Sequence, residues 1–158
     1  MSTASPEYLK TLTRYYEEEI EGEAYFHAIA DRLTDPDQRA KMCLLAEVET
    51  YAAAAVRPLI DKYALTPQAP ETLHETARAD AAKDSRDWSA LVAEMRQTFP
   101  GYIDDFERLE AMAPLEDLPL LKILTDHEHA AIDFLEREAR GDPASSAPMQ
   151  RYMKTGTA

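Results

Sequence analysis

The chain has 158 residues, which is the usual size of one domain built around one hydrophobic core. Thirty acidic against seventeen basic side chains give a net charge of −13, which repels the phosphates of nucleic acids and anionic membrane surfaces. The single cysteine, Cys43, cannot form an internal disulfide, and no apolar stretch reaches the ~18 residues of a membrane span. The N-terminus also lacks a signal-peptide pattern. We therefore expect a soluble cytoplasmic protein without nucleic-acid or membrane partners, and a homodimer stays open.

The composition favours helices over sheets. Glycine occurs only four times, alanine, leucine and glutamate are frequent, and runs of β-branched residues are few. This composition predicts an all-α fold.

The first two predicted helices form a hairpin. The first is expected from Pro6 to Leu33 and the second from Pro36 to Tyr63. Between them, Asp35 is a good N-cap and proline suits the first helical position. Because the connection is so short, the two helices are predicted to be antiparallel neighbours.

A long connection follows, from Leu65 to Ser85, and we interpret it as a crossover that carries a short helix at about Glu71 to Ala82. The third helix is expected from about Arg86 to Ala113. It contains Pro100 and Gly101 in its interior. Because a proline removes one backbone hydrogen bond, the pattern predicts a kink or a split there.

The fourth helix is expected from about Leu118 to Arg140, ended by the sequence Gly141-Asp142-Pro143. Residues 142–158 are rich in small side chains and show no clear periodicity, so we predict a mobile C-terminal tail. The expected organisation is thus a bundle over residues 1–141 and a tail over residues 142–158.

Acidic residues interrupt the apolar seams of three helices. The seam of the first helix passes through Glu19 and Glu23, that of the second through Glu49, and that of the fourth through Glu128, with His127 on the adjoining line. A buried carboxylate is costly unless a cation, a metal or hydrogen bonds compensate it. The alternative is that a seam has been placed one residue out of register.

Three acids at similar depth predict a shared site, because converging carboxylates repel one another unless a divalent cation or bound protons balance them. The candidate metal ligands are Glu23, Glu49, Glu128, His127 and His27. His27, four residues after Glu23, is either a ligand or an ordinary core histidine. Glu19 is interpreted as a salt-bridged or partly exposed residue.

The motifs GEAYFHAIADRL, LLAEVETYAAAAVRPLI and DHEHAAIDFLERE resemble those of the ferritin-like, rubrerythrin-like superfamily over roughly Tyr8 to Arg140. The resemblance implies an up-down four-helix bundle, with a long crossover between helices 2 and 3 and two metal ions in its core. It also implies that Glu23, Glu49 and Glu128 are the ligands from the first, second and fourth helices.

The motif is incomplete. The family places a histidine three residues after its second- and fourth-helix glutamates, where this chain has Ala52 and Ala131. The acids of the third helix lie off its seam. One or two iron or manganese ions, an unusual site and a vestigial site with no metal all stay open.

Two functions follow from these observations. The first is a metal-dependent oxidoreductase that uses carboxylate-bound iron or manganese and acts on a small molecule that the sequence does not identify. The second is a non-catalytic helical bundle, an interaction or stress-associated protein with a vestigial metal site.

Overall fold

A computed structural model describes residues 3–84 and 87–158. Within these ranges the chain forms helices and no strand, which confirms the all-α prediction. The helices are α1 (Pro6–Arg32), α2 (Pro36–Lys62), α3 (Pro70–Ala81), α4 (Trp88–Thr98), α5 (Pro100–Met112), α6 (Leu118–Ala139) and α7 (Ala147–Thr155), with a 3₁₀ turn at Leu115–Asp117. The predicted boundary between crossover and third helix, Ser85 and Arg86, lies outside the described residues. No helix in the described ranges is both long and apolar enough to cross a bilayer.

Side-chain caps begin both helices of the hairpin, and the one at Asp35 was predicted. The Ser5 hydroxyl accepts a hydrogen bond from the Tyr8 amide, at 3.1 Å. The Asp35 carboxylate accepts from the amides of Asp37 and Gln38, at 2.9 and 3.0 Å. Each cap satisfies amides that have no partner inside the helix, so these residues fix where α1 and α2 begin.

The crossover carries α3, close to the predicted short helix, and α3 packs on α1. The expected interruption of the third helix is also confirmed. The helix divides into α4 and α5 at Phe99, because Pro100 has no amide hydrogen to continue the ladder.

The C-terminal segment differs from the predicted mobile tail. It contains α7, whose side chains Met149 and Tyr152 are fully buried. The Tyr152 hydroxyl donates a hydrogen bond to the carbonyl of Ile123 in α6, at 2.8 Å. Burial of these two large side chains on α6 and α2 offsets the entropy of ordering a nine-residue helix. Residues 147–155 are therefore part of the folded domain.

The apolar core has two parts, separated along the helices. The turn-end core, next to the α1–α2 turn, includes Phe26, Leu33, Met42, Leu45, Phe99, Phe134, Met149 and Tyr152. The far-end core includes Tyr8, Leu12, Tyr16, Val56, Leu59, Phe106, Leu109, Leu121 and Leu124. In α1, α2 and α6 the residues between these two parts carry the buried acids.

Candidate metal centre

Four ionisable side chains occupy the layer between the two cores. Glu19 comes from α1, Glu49 from α2, and His127 and Glu128 from α6. Their exposed fractions are 3%, 8%, 1% and 4%. Such burial is rare for charged residues without a compensating partner, so these side chains must balance one another or bind a cation.

The Nε2 atom of His127 is the centre of the cluster. It lies 3.0 Å from Oε2 of Glu19, 3.6 Å from Oε2 of Glu49 and 3.5 Å from Oε2 of Glu128. One ligand atom from each of Glu19, Glu49 and His127 falls within 4.8 Å of the other two. The donors are close enough together to surround a single small ion.

The orientation of the His127 ring is fixed from its other side. Its Nδ1 atom hydrogen-bonds the carbonyl oxygen of Leu124, one turn earlier in α6. Since a carbonyl only accepts, Nδ1 carries the proton and donates it. The Phe106 ring of α5 packs edge-on against the imidazole, with the ring centroids 5.5 Å apart. Nε2 therefore faces the carboxylates and is available as a metal ligand when the ring is neutral.

Burial and mutual repulsion set the protonation of the cluster. Burial raises the pKa of Glu19 well above its usual value, and the charge of Glu49 raises it further. Burial also raises the pKa of Glu128 to about 8, although the charge of His127 opposes this. The pKa of Glu49 is lowered despite burial, through a hydrogen bond with Glu19 and the charge of His127.

His127 is the positive partner in this arrangement. Burial alone would lower its pKa, but the negative charges of Glu19 and Glu49 outweigh burial and raise the pKa well above its usual value. In the absence of a bound cation, protons therefore supply the positive charge that the carboxylates require. A divalent cation would supply the same charge in place of those protons.

Two carboxylate oxygens in the cluster accept no hydrogen bond from the residues that the structure describes. They are Oε1 of Glu128 and Oε2 of Glu19, both buried, and the second has only the ion-pair contact of 3.0 Å with Nε2 of His127. A buried acceptor without a partner costs about 1 to 3 kcal/mol, and more when it is charged. A metal ion coordinated by these oxygens would remove that cost, and three carboxylates with one imidazole form a suitable donor set for iron or manganese.

The structure brings together three of the five residues that the sequence indicated, Glu49, Glu128 and His127. It does not bring Glu23 and His27 to them. Those two side chains are 36% and 49% exposed and lie 3.9 Å apart at the surface. The α1 member of the cluster is Glu19, one turn earlier. Of the two alternatives expected for it, the salt bridge is present, with His127, and partial exposure is wrong. The register of α1 turns the Glu19 side chain into the core and leaves the Glu23 side chain partly exposed at the surface.

A cavity of about 360 Å³ extends from the cluster between α1, α3, α4 and α5. Glu19, Glu49, His127 and Glu128 line its inner end. The apolar part of its lining consists of Phe26, Ala77, Leu91, Met95, Phe99 and Phe106. The two halves of the interrupted third helix thus contribute aromatic and aliphatic side chains beside the cluster, and Glu94 of α4 lines the cavity as well.

Comparison of the chain with protein-family models, with curated proteins and with solved structures gave no match. The interpretation of the site therefore depends on its own geometry.

Proposed function

We propose that this protein binds one divalent transition-metal ion, iron or manganese, through Glu19, Glu49, Glu128 and His127, inside a ferritin-like four-helix bundle. The observation that supports this most directly is a pair of buried carboxylate oxygens, from Glu19 and Glu128, that accept no hydrogen bond from the described residues and lie beside an imidazole nitrogen of fixed orientation. All four donors come from helices, which hold ligands more rigidly than loops do.

The helix contacts support the bundle. Helix α1 packs against α2, α2 against α6, α6 against α5, and α5 against α1. These four contacts close a ring, as expected when α4 and α5 together replace the third helix of a four-helix bundle. The long connection that carries α3 fits the crossover between the second and third helices of that architecture.

A single ion fits the donor set better than two. Two-metal carboxylate sites use a glutamate from each of two helices and a glutamate-histidine pair from each of the other two. Here Ala52 and Ala131 stand where the paired histidines would be, and Glu94, the glutamate that the third-helix pair contributes to the cavity lining, is exposed and outside the buried cluster. The four donors present are enough for one ion with room for a further ligand.

Bound iron or manganese would supply Lewis-acid and one-electron redox chemistry, which supports assignment as an oxidoreductase. The residues of the chain have separate tasks. His127 keeps Nε2 aimed at the carboxylates, Phe106 holds the imidazole ring, and the two cores exclude water from either side of the layer. The cavity leaves one side of the cluster open to a small molecule.

The second candidate function is a helical bundle whose metal site is vestigial. The contact of Glu49 with His127 favours it, because a carboxylate and an imidazolium 3.6 Å apart balance each other without metal. The two candidates make opposite predictions for Glu49→Gln. Loss of a ligand weakens metal binding, whereas relief of carboxylate repulsion in a vestigial site leaves stability unchanged or increases it.

Metal analysis and thermal unfolding test the proposal. Protein purified without chelator is expected to contain about one iron or manganese ion per chain. Metal-free protein at a metal concentration of ~100 times Kd should gain about 2.7 kcal/mol, a rise in melting temperature of roughly 5–10 °C at this chain length. Glu49→Gln should show a much smaller rise. A wild-type protein that shows no metal-dependent shift would overturn the proposal and leave the vestigial site.

A further inference from the structure

The opening of the cavity beside the candidate metal centre, called its mouth below, is lined mainly by acidic side chains. Among the residues that the structure describes, four acidic side chains, Glu18, Glu21, Asp80 and Glu94, line its outer part with one basic side chain, Arg14. Arg14 is engaged with Glu18 at 3.3 Å and Glu21 at 3.0 Å. The mouth therefore has an excess of negative charge, which attracts cations and repels anions.

Aromatic surface lies at the same mouth. Tyr102 is 40% exposed, which is unusual for a large aromatic side chain in this structure, and its ring lies 5.9 Å from that of Phe99. Both rings line the cavity. Aromatic faces together with carboxylates are the surroundings that organic ammonium groups prefer, through cation–π and ionic attraction.

The rest of the cavity suits an apolar body. Behind the mouth, the walls include the buried side chains of Phe26, Leu91, Met95 and Phe106. The inner end carries Oε1 of Glu128, which accepts no hydrogen bond from any described residue. A volume of about 360 Å³ is within the range of small-ligand sites, ~300 to 1,000 Å³.

We propose that this cavity binds a small primary amine with an aromatic or aliphatic body, its ammonium group at the acidic mouth and its body along the apolar walls toward the metal centre. That this amine is the substrate rests on the proposed function. Binding of the amine itself depends only on the mouth and the walls. A carboxylate of the same shape is disfavoured by the charge of the mouth.

The test compares two probes with the same phenylethyl body and head groups of opposite charge, 2-phenylethylamine and 3-phenylpropionate. Titration calorimetry with Mn²⁺-loaded protein is expected to give at least about tenfold tighter binding of the amine, because the probes differ by two units of charge near several carboxylates. In proton NMR, Mn²⁺ should relax the ring protons of the amine more than the methylene next to its nitrogen. Equal binding of the probes, no binding of the amine, or stronger relaxation at the methylene would overturn the proposal.

Two matched double variants show which carboxylates are responsible for amine binding. Asp80→Asn with Glu94→Gln removes two negative charges from the mouth and is expected to weaken amine binding about tenfold at low salt. Asp104→Asn with Glu107→Gln removes the same charge from exposed positions of α5 outside the cavity lining and should change binding less than about twofold. Equal effects of the two double variants would show that net charge, and not the mouth, selects the amine.

Metal binding is measured on the same samples, so the two proposals fail separately. If Mn²⁺ binds and the amine does not, the inference about the cavity falls and the proposed metal site stands. If Mn²⁺ does not bind, the metal site falls, and the preference of metal-free protein for the amine then decides the cavity. Displacement of Mn²⁺ by the amine would place the ammonium group at the cluster and contradict an orientation with that group at the mouth.

Discussion

Gly22 of α1 faces the carboxyl group of Glu49 in α2: a β-carbon on Gly22 would stand 2.9 Å from both Cδ and Oε2 of Glu49. Real β-carbons do not approach other atoms so closely. Glycine inside a helix costs about 0.5 to 1 kcal/mol relative to alanine, so its presence here needs a reason. The reason is room for the Glu49 side chain, which a β-carbon would push out of the cluster.

The variant Gly22→Ala should therefore separate the metal site from helix stability. Alanine favours the helix, but its β-carbon displaces Glu49, so metal affinity is expected to fall about tenfold or more while the fold is kept. Gly101→Ala is the matched control, because a β-carbon there meets nothing within 4 Å. It should leave affinity unchanged and raise stability by up to about 1 kcal/mol. Unchanged metal affinity in Gly22→Ala would contradict the assignment of Glu49 as a ligand.

The same substitution at two positions of α1 distinguishes the ligand that the structure indicates from the one that the sequence indicated. Glu19→Gln removes one negative charge and a donor from the cluster, so metal affinity should fall about tenfold or more. Glu23→Gln changes a partly exposed side chain outside the cluster and should change affinity less than about twofold. Calorimetric titration with Mn²⁺ measures both. The reverse order of effects would restore Glu23 as the α1 ligand.

The sequence indicated the three helices that carry the buried cluster, but from α1 it selected Glu23, whereas the structure brings Glu19 into the cluster. A seam with a 4,3 spacing passes through both Glu19 and Glu23, so periodicity alone could not decide between them. Distance from the turn decides: Glu19 and Glu49 each stand 15 residues from Thr34. In an antiparallel hairpin, equal separation from the turn places two residues at the same level. Gly22, opposite Glu49, was a second signal.

The helices were predictable where local chemistry determines them. Serine and aspartate caps and Pro100 each act within one turn, so their effects could be inferred without a tertiary structure. Helix α7 was missed because its nine residues show only a short apolar pattern, Met149, Tyr152 and Met153. A helix of this length is marginal alone and forms because α6 and α2 cover its apolar side.

Substitutions in α7 test that docking. Tyr152→Ala removes a fully buried aromatic side chain and should lower the free energy of unfolding by about 3 to 5 kcal/mol. Tyr152→Phe loses only the hydrogen bond to the Ile123 carbonyl and should cost about 1 to 2 kcal/mol. Gln150→Ala, at an exposed position of the same helix, is the control and should stay within about 0.5 kcal/mol. Urea unfolding measures all three, and a neutral Tyr152→Ala would mean that α7 does not stabilise the domain.

Asp117, a buried acid outside the cluster, accepts three hydrogen bonds from side chains of the chain. It is 1% exposed and accepts hydrogen bonds from the hydroxyls of Tyr8 and Tyr63, at 2.8 and 2.7 Å, and from the Lys62 ammonium, at 2.7 Å. It thereby ties the start of α1 and the end of α2 to the turn before α6. Because its carboxylate is satisfied within the chain, this acid is assigned to stability and not to metal binding.

Asp117 also predicts a pH dependence of stability. Burial opposes ionisation, but hydrogen bonds from Lys62, Tyr63 and Tyr8 outweigh it and lower the pKa of Asp117 below its usual value. A lowered pKa in the folded state means that the unfolded state binds the proton more readily in acid. The contribution of Asp117 is therefore fully present above the unfolded pKa, about 4, and is lost as pH falls through the folded pKa.

Asp117→Asn should lower the free energy of unfolding by about 2 to 3 kcal/mol at pH 7, since it removes a charged acceptor from three donors. The difference from wild type should shrink as pH falls below about 4, because wild-type Asp117 then loses its charge as well. Glu116→Gln is the matched control: Glu116 lies 3.6 Å from the same Lys62 ammonium but is 54% exposed, so the change should cost less than about 1 kcal/mol. Urea unfolding of the three proteins from pH 7 to 3 measures these differences. An Asp117→Asn penalty that is no larger than that of Glu116→Gln, or that does not change with pH, would show that the buried carboxylate is not what holds these three elements together.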